Sequence, residues 1–274
     1  MSTTFELTIR PRKGWQAIDF KELYLYHELL AFLIWRDIKI RYRQTLLGGL
    51  WAILQPFIAM LIFSFIFNRL AHVQSDGPPY RLFAYSGLTA WTFFSTSVSQ
   101  SSNSLVASHQ LVSKVYFPRI FIPLGAIGAL LLDMMLSLGL FAVMMLFYRW
   151  PPTPALLWLP VFILGAILAA AGTGLILSAL NVSFRDVKYA VPFMVQMGLF
   201  VTPVIYPERY IPHRWQILMG LNPMAGVVIG FRHALLGTPA SWGIMGLSLT
   251  VSAFLFISGL LVFRRMESRF ADII

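Results

Sequence analysis

Groups that could do chemistry are few in this 274-residue sequence, and they lie far apart. The chain has no cysteine, which excludes disulfides and thiolate metal sites. No lysine follows a glycine, so the phosphate-binding loop G-x-x-x-x-G-K, followed by Ser or Thr, is absent. Carboxylates do not come in catalytic pairs, and the histidines are scattered, at His27, His72, His109, His213 and His233. We therefore predict no catalytic residue, no metal site and no bound cofactor.

Asp133 stands out among the acidic residues because it lies inside a long apolar run, residues 122–148. A carboxylate within a membrane is expensive and usually has a function. A hydrogen bond to a neighbouring helix would also account for it. The sequence leaves both interpretations of this intramembrane acid open.

Four cations stand directly before the first long apolar run, which begins at Leu46: Arg36, Lys39, Arg41 and Arg43. Basic residues beside a span favour its cytoplasmic side. The same cluster could instead form a cytoplasmic gate that binds the phosphate of a lipid head group. Apolar and basic residues alternate here as in a strand, but an isolated strand would leave its edge unpaired, so we predict a helix.

Membrane helices must position these groups. The composition is 58% hydrophobic and 12% charged, with a mean hydropathy of +0.72, whereas soluble domains carry about 25% charged residues. A span needs about 20 apolar residues, so the pattern predicts an all-α integral membrane protein with six transmembrane helices. The predicted spans are 46–67, 82–104, 122–148, 156–180, 189–206 and 242–263.

The charges are distributed unevenly about these spans. Of the 21 lysines and arginines, 15 fall on one side and six on the other. The positive-inside rule puts the richer side, with both termini, in the cytoplasm. This bias accounts for the net charge of +10 without a nucleic-acid partner.

Two further elements are predicted around the spans. Apolar residues at helical spacing from Phe20 predict an amphipathic interface helix within a cytoplasmic segment, 1–45, which precedes the transmembrane domain, 46–274. This helix could lie among lipid head groups or pack against a cytoplasmic protein. The apolar pieces 215–221 and 224–236 are too short to cross, which predicts a re-entrant helical pair with Arg232 near the outer head groups.

The spans themselves carry three unusual features. Pro56 should free a carbonyl that a neighbouring helix or water must satisfy. Span 2 ends in a polar half, 95–104, which must face other helices or a water-filled path. Small residues at four-residue spacing in span 4, from Gly165 to Gly174, should let helices approach closely.

Nine short motifs run in order along nearly the whole chain. They are Trp35-Arg36-Asp37-Ile38-Lys39, Arg43-Gln44-Thr45-Leu46-Leu47-Gly48, Trp51-Ala52, Gln55-Pro56, Lys114-Val115-Tyr116-Phe117-Pro118-Arg119, Phe184-Arg185-Asp186-Val187, Thr202-Pro203-Val204-Ile205-Tyr206-Pro207, Asn222-Pro223-Met224 and Phe270-Ala271-Asp272. Together they resemble the membrane subunits of polysaccharide-exporting ABC transporters.

The resemblance implies a permease that forms a homodimer in the bacterial inner membrane and exports a lipid-linked polysaccharide, such as O-antigen, capsule or teichoic acid. Two copies of a separate cytoplasmic ATPase would bind ATP and magnesium. In such proteins the N-terminal helix and the loop between spans 2 and 3 contact the ATPase. The implied contact residues are Glu22, His27, Leu30, Trp35, His109, Leu111 and Lys114.

The family also implies a channel between the two copies, built largely from spans 1 and 5. Aromatic rings can stack on the apolar faces of sugars while sugar hydroxyls exchange hydrogen-bond partners. The candidate path residues are Trp51, Phe57, Trp91, Phe94, Phe193, Phe200 and Tyr206. Ordinary lipid-facing or interfacial aromatic residues are the alternative.

Two other functions stay open. An exporter of drugs or small lipids would share the fold without needing an aromatic path. A membrane enzyme of glycan assembly would need clustered carboxylates or histidines at the membrane face, and the sequence shows no such cluster.

The predicted topology can be tested by labelling, because the chain has no cysteine of its own. We expect cysteines introduced at Ser2 and Ile274 to be protected from a membrane-impermeant thiol reagent in intact cells and labelled after permeabilisation. Pro152→Cys, in a predicted outside turn, is the positive control. Labelling of either terminus in intact cells would contradict the six-span arrangement.

Overall fold

Residues 26–43, 49–70, 72, 77–114, 117–184, 186–267 and 270 are described by the structure, a computed structural model, and their regular structure is helical throughout. The α-helices are α1 (His27–Tyr42), α2 (Leu50–Phe63), α3 (Tyr80–Ala107), α4 (His109–Lys114), α5 (Phe121–Phe147), α6 (Leu159–Ser183), α7 (Val187–Val201), α8 (His213–Gly220), α9 (Pro223–Leu236) and α10 (Trp242–Glu267). A π-helix, Ser64–Leu70, extends α2, and 3-10 turns cover Pro154–Trp158 and Glu208–Tyr210.

Four helical segments in the described part of the chain are long and apolar enough to cross a membrane: Leu50–Leu70, Phe121–Phe147, Pro154–Ser183 and Trp242–Glu267. They make the chain a multi-pass membrane protein. α3 has 28 residues but a polar second half. α7 has only 15 residues, or about 22 Å of helix, against a hydrocarbon core of about 30 Å. The six-span count therefore stays a prediction.

α6 lies between α3 and α10, and its small residues make this possible. A side-chain carbon added at Gly172 would lie 2.4 Å from the backbone of Leu255 in α10, and one at Gly174 would lie 2.6 Å from Ser101 in α3. Ala169 and Ala170 are fully buried between them. The predicted close approach of helices along span 4 is confirmed.

α2 carries the predicted proline at Pro56. Its ring removes the hydrogen bond to the carbonyl of Ala52, four residues earlier. The Ser137 hydroxyl of α5 donates to that carbonyl at 3.2 Å. A neighbouring helix thus satisfies the freed group, as predicted.

α1 is helical through Tyr42, which confirms the helix predicted before Arg43. Its buried Leu33 packs against Gly125 of α5, and Ile34 packs against Gly128 one turn further on. α1 therefore docks on a membrane helix of its own chain. Residues 44–48, which contain the predicted domain boundary, lie outside the described residues, as does the part of the predicted interface helix before Tyr26.

α7 is shorter than predicted, because the helix ends at Val201 rather than Tyr206. The following residues form a buried loop held by side chains from other helices. Asn222 donates to the Thr202 hydroxyl at 2.9 Å, and the Tyr80 hydroxyl donates to the carbonyl of Ile205 at 2.6 Å. The predicted span 5 is thus a short helix followed by a loop that these hydrogen bonds hold in place.

The pair of short helices before the last span is present as α8 and α9, but the predicted place of Arg232 is wrong. α9 lies in the core, and Arg232 is only 3% exposed. Its guanidinium donates to the carbonyl of Val204 at 2.5 Å and to those of Phe83 and Tyr206 at 3.4 Å. It also lies 3.6 Å from the centre of the Phe83 ring. Three carbonyls and an aromatic face replace the head groups that were expected to hold this cation.

We expect Arg232→Met to destabilise the protein, because the carbonyls of Val204 and Tyr206 lose their donor, at about 1–3 kcal/mol for each orphaned buried group. The Phe83 carbonyl keeps the Ser86 hydroxyl as a donor. The thermal unfolding midpoint in detergent should fall clearly. Arg214→Met is the matched control, because Arg214 is exposed on α8. Equal midpoints for the two variants would contradict a structural role for Arg232.

Candidate functional site

A cavity of about 530 Å³ opens between α1, α2, α3 and α5. Trp51 and Gln55 of α2 form one wall, and Asp133 and Ser137 of α5 form another. The last turn of α1 borders it through Arg41 and its neighbours. The described part of the chain thus brings the intramembrane acid, a basic residue and an aromatic path candidate to one place.

The polar half of α3 supplies the remaining wall. Thr92, Thr96 and Gln100 are four residues apart, so they lie on one face of the helix, and all three line the cavity. The Thr96 hydroxyl donates to the carbonyl of Thr92 at 2.5 Å, which leaves its oxygen able to accept. Gln100 is exposed.

The opposite face of this polar half is buried in helix packing. Ser97, Ser101 and Ser102 are fully buried. The amide of Asn181, near the end of α6, donates to the carbonyl of Ser102 at 2.8 Å. The predicted span 4 ends at residue 180, whereas α6 continues through Ser183 and Asn181 is buried. One face of the polar half of span 2 therefore packs against other helices, as predicted, and another lines the cavity. A water-filled path stays a prediction.

Asp133 joins α5 to the end of α1. One carboxylate oxygen accepts from Arg41 at 2.5 Å, and the other accepts from the Tyr42 hydroxyl. The side chains of Arg41 and Asp133 are only 25% and 19% exposed. Burial, and then the hydrogen bond to Asp133, raises the pKa of the Tyr42 phenol above its ordinary value, so Tyr42 keeps its proton and acts as a donor.

The four predicted cations divide into two pairs. Arg36 lies 2.8 Å from the carboxylate of Asp37, and Arg41 is held by Asp133. Lys39, in α1, and Arg43, directly after its last residue, are exposed and four residues apart. Binding of a lipid phosphate at this cluster stays a prediction, and Lys39 and Arg43 are the members placed to meet it.

The predicted path residues occupy three kinds of place. Trp51, Phe193 and Phe200 are exposed, at 55%, 63% and 53%. Phe57 and Phe94 are half-buried against the core, and the Tyr206 hydroxyl donates to the carbonyl of Phe200 at 3.1 Å. Trp91 is buried beneath Gly198 of α7, where an added side-chain carbon would lie 2.8 Å from its ring.

The predicted ATPase contacts gather at one end of the bundle. His27 and Trp35 on α1 and His109 and Lys114 on α4 are exposed, whereas Glu22 lies outside the described residues. Leu30 and Leu111 are half-buried against one hydrophobic cluster, whose members are Leu33, Leu105, Val112, Phe117, Ile120, Phe121, Ile122, Leu175, Ala179, Val182, Phe263 and Phe270. The ends of α1, α3, α5, α6 and α10 and the short α4 meet in this cluster.

A family model described as an ABC-2 type transporter matches residues 28–236, from the first turn of α1 to the last residue of α9. The chain belongs to the ABC-2 type transporter family. The resemblance predicted from the nine motifs is thereby confirmed.

Three relatives match over most of their length. An O-antigen export system permease protein RfbA of Klebsiella pneumoniae is 28% identical over 252 residues, covering 92% of this chain and 96% of the relative. The protein of the same name from Myxococcus xanthus is 31% identical over 259 residues, with 92% and 97% covered. The polysialic acid transport protein KpsM of Escherichia coli is 26% identical over 242 residues, with 86% and 92% covered.

Sequence reasoning singled out Asp133, Arg41 and Trp51 in this ABC-2 family chain but did not bring them together. Arg41 and Asp133 are 92 residues apart, and no local pattern joins them. Tyr42 was missed altogether. The four-residue spacing of Thr92, Thr96 and Gln100 could have indicated the cavity, because it puts these three side chains on one face of α3, apart from the buried serines.

The Arg41–Asp133 pair should couple α1 to α5 energetically. We expect Arg41→Met and Asp133→Asn each to lower stability, and the double variant to lose less than the sum, with a coupling of about 1 kcal/mol or more. The measurement is a double-mutant cycle on thermal unfolding in detergent. The control cycle uses Arg36 and Asp37, a pair within one helix, where a smaller coupling is expected. Equal coupling in both cycles would contradict a bridging role for Asp133.

Proposed function

We propose that this chain is the transmembrane subunit of an ATP-driven exporter that moves lipid-linked polysaccharide from the cytoplasm across the bacterial inner membrane. Two copies would form a homodimer and bind two copies of a separate ATPase. The observation that carries the proposal is the match, over most of both chains, to proteins named for O-antigen export and for polysialic acid transport. The open faces of α2 and α7 support it.

α7 leaves most of its surface uncovered within one chain. Val191 is its one buried residue, whereas Tyr189, Phe193 and Phe200 are exposed. The exposed amide of Gln196 lies on the same helix, and Gln55 is exposed on α2. An amide facing lipid is costly, so these faces are better suited to a second copy or a water-filled path.

α2 and α7 both pack against α3, which carries the polar half. In a dimer, two such pairs of helices would surround a path with aromatic rings and scattered amides. That chemistry suits a polymer that slides, because ring stacking and exchangeable hydrogen bonds are individually weak. A path for compact drugs would not require exposed aromatic residues on two separate helices.

Energy would reach this subunit from its ATPase partner through the end of the bundle that carries α4 and the start of α1. The exposed residues there, His27, His109 and Lys114, are suited to contact a cytoplasmic surface. Leu30 and Leu111 lie against the hydrophobic cluster beneath and would transmit displacement into α5 and α10. The cytoplasmic placement of this end follows from the positive-inside bias.

The proposal predicts a specific loss of export on removing an exposed path ring. In a strain that lacks this gene, we expect Phe200→Ala to restore roughly two- to tenfold less surface polysaccharide than the unaltered chain, because a stacking contact contributes about 0.5–1.5 kcal/mol. Phe254→Ala on α10 is the matched control, since Phe254 is also exposed, at 68%, but lies outside α2 and α7.

The assay must report permease abundance and retained ATPase beside polymer export. Equal export by both variants would contradict the aromatic path. Failure of the unaltered chain and its ATPase to restore any surface polysaccharide would contradict the proposed function itself.

A further inference from the structure

The cavity under α1 has a different character from a path between two copies, because all four of its walls come from one chain. Its volume, about 530 Å³, lies within the range of about 300–1,000 Å³ that is typical of small-molecule sites. A polymer cannot be enclosed there, but one or two sugar units can. The question is which part of a lipid-linked substrate such a cavity would hold.

The charges of the lining argue against the phosphate. Among the described residues that line the cavity, Arg41 is the one cation, and its guanidinium is engaged by Asp133. Asp37 adds a second carboxylate to the lining, and Arg36 pairs with it at 2.8 Å. A phosphate in the cavity would therefore have to compete with a carboxylate for either cation.

The neutral groups of the lining suit a sugar. The Trp51 ring offers an apolar face, and the amides of Gln55 and Gln100 each carry donors and an acceptor. The hydroxyls of Thr92 and Thr96 add further acceptors at the same wall. A sugar presents C–H faces to stack on a ring and hydroxyls that both donate and accept, which is the complement of this lining.

Lys39, in the last turn of α1, and Arg43, directly after this helix, are not among the lining residues but neighbour them in sequence. A phosphate held there would place the sugar attached to it next to the cavity mouth. Resting on the proposed function, we propose that the cavity is a subsite for the lipid-proximal sugar of the substrate, with the phosphate of the lipid outside it at Lys39 and Arg43.

Two lipid probes separate the subsite from the phosphate contacts. One is a polyprenyl diphosphate without sugar, and the other is the lipid-linked polymer extracted from cells that lack this permease. The permease–ATPase complex in lipid nanodiscs is titrated with each probe, and half-saturation is read from ATP hydrolysis. The variants are Gln100→Met and Thr96→Val, both on α3, which remove hydrogen-bonding groups from the cavity while nearly preserving side-chain volume.

We expect each cavity variant to raise the half-saturating concentration of the polymer-bearing probe by roughly five- to tenfold, the effect of one lost hydrogen bond. The half-saturating concentration of the bare lipid should not change. Thr250→Val is the matched control, because its hydroxyl also donates to a carbonyl four residues earlier but lies exposed on α10. A combined Lys39→Gln, Arg43→Gln variant should weaken both probes. Unaltered unfolding midpoints would show that the variants fold.

Any other result contradicts either the sugar subsite or the proposed function. If Gln100→Met and Thr96→Val leave binding of the polymer-bearing probe unchanged, or weaken binding of both probes equally, the sugar subsite is wrong while export stands. If the unaltered complex responds to neither probe, the proposed function fails together with the subsite.

Discussion

A polar group inside a membrane finds no water, so the chain itself has to supply its partner. Three contacts in this protein meet that requirement in different ways. Asp133 takes two donors from α1, the Ala52 carbonyl freed by Pro56 takes the Ser137 hydroxyl, and Arg232 donates to carbonyls of two separate segments. Each contact joins a particular atom of one segment to a particular atom of another and so fixes their relative position. Apolar packing alone is less specific.

The candidate site depends on these contacts. Asp133 holds the end of α1 over the cavity, and Ser137 holds α2 beside it, so both walls are set by α5. The start of α1 meets α4 and the ends of the long helices in one hydrophobic cluster. A partner that displaces the start of α1 would therefore also change the cavity. The start of α1 packs in this cluster, and its end is hydrogen-bonded to Asp133 in the cavity wall.

Much of this could be predicted from the sequence, because the relevant signals are local. The helical class, the carbonyl freed by Pro56, the small-residue packing of α6 and the family followed from periodicity, composition and short motifs. The Arg41–Asp133 pair and the burial of Arg232 could not. Arg41 and Asp133 are 92 residues apart, and the backbone partners of Arg232 are at least 26 residues from it. A single sequence does not distinguish an exposed arginine from one that is buried and donates to backbone carbonyls, because every residue type has a backbone carbonyl.

The buried Arg232 has a consequence for how the protein is made. An arginine at the centre of a helix costs about 2.5–3.5 kcal/mol to pass into a bilayer. Arg232 lies one turn before the end of α9, which has only 14 residues with which to offset a cost of this kind. The partners of Arg232 lie in α3 and in the loop after α7, both of which are synthesised earlier. α9 by itself is therefore poorly suited to enter the membrane. We expect its insertion to require that α3 and the loop after α7 are already assembled, so that their carbonyls can accept from Arg232.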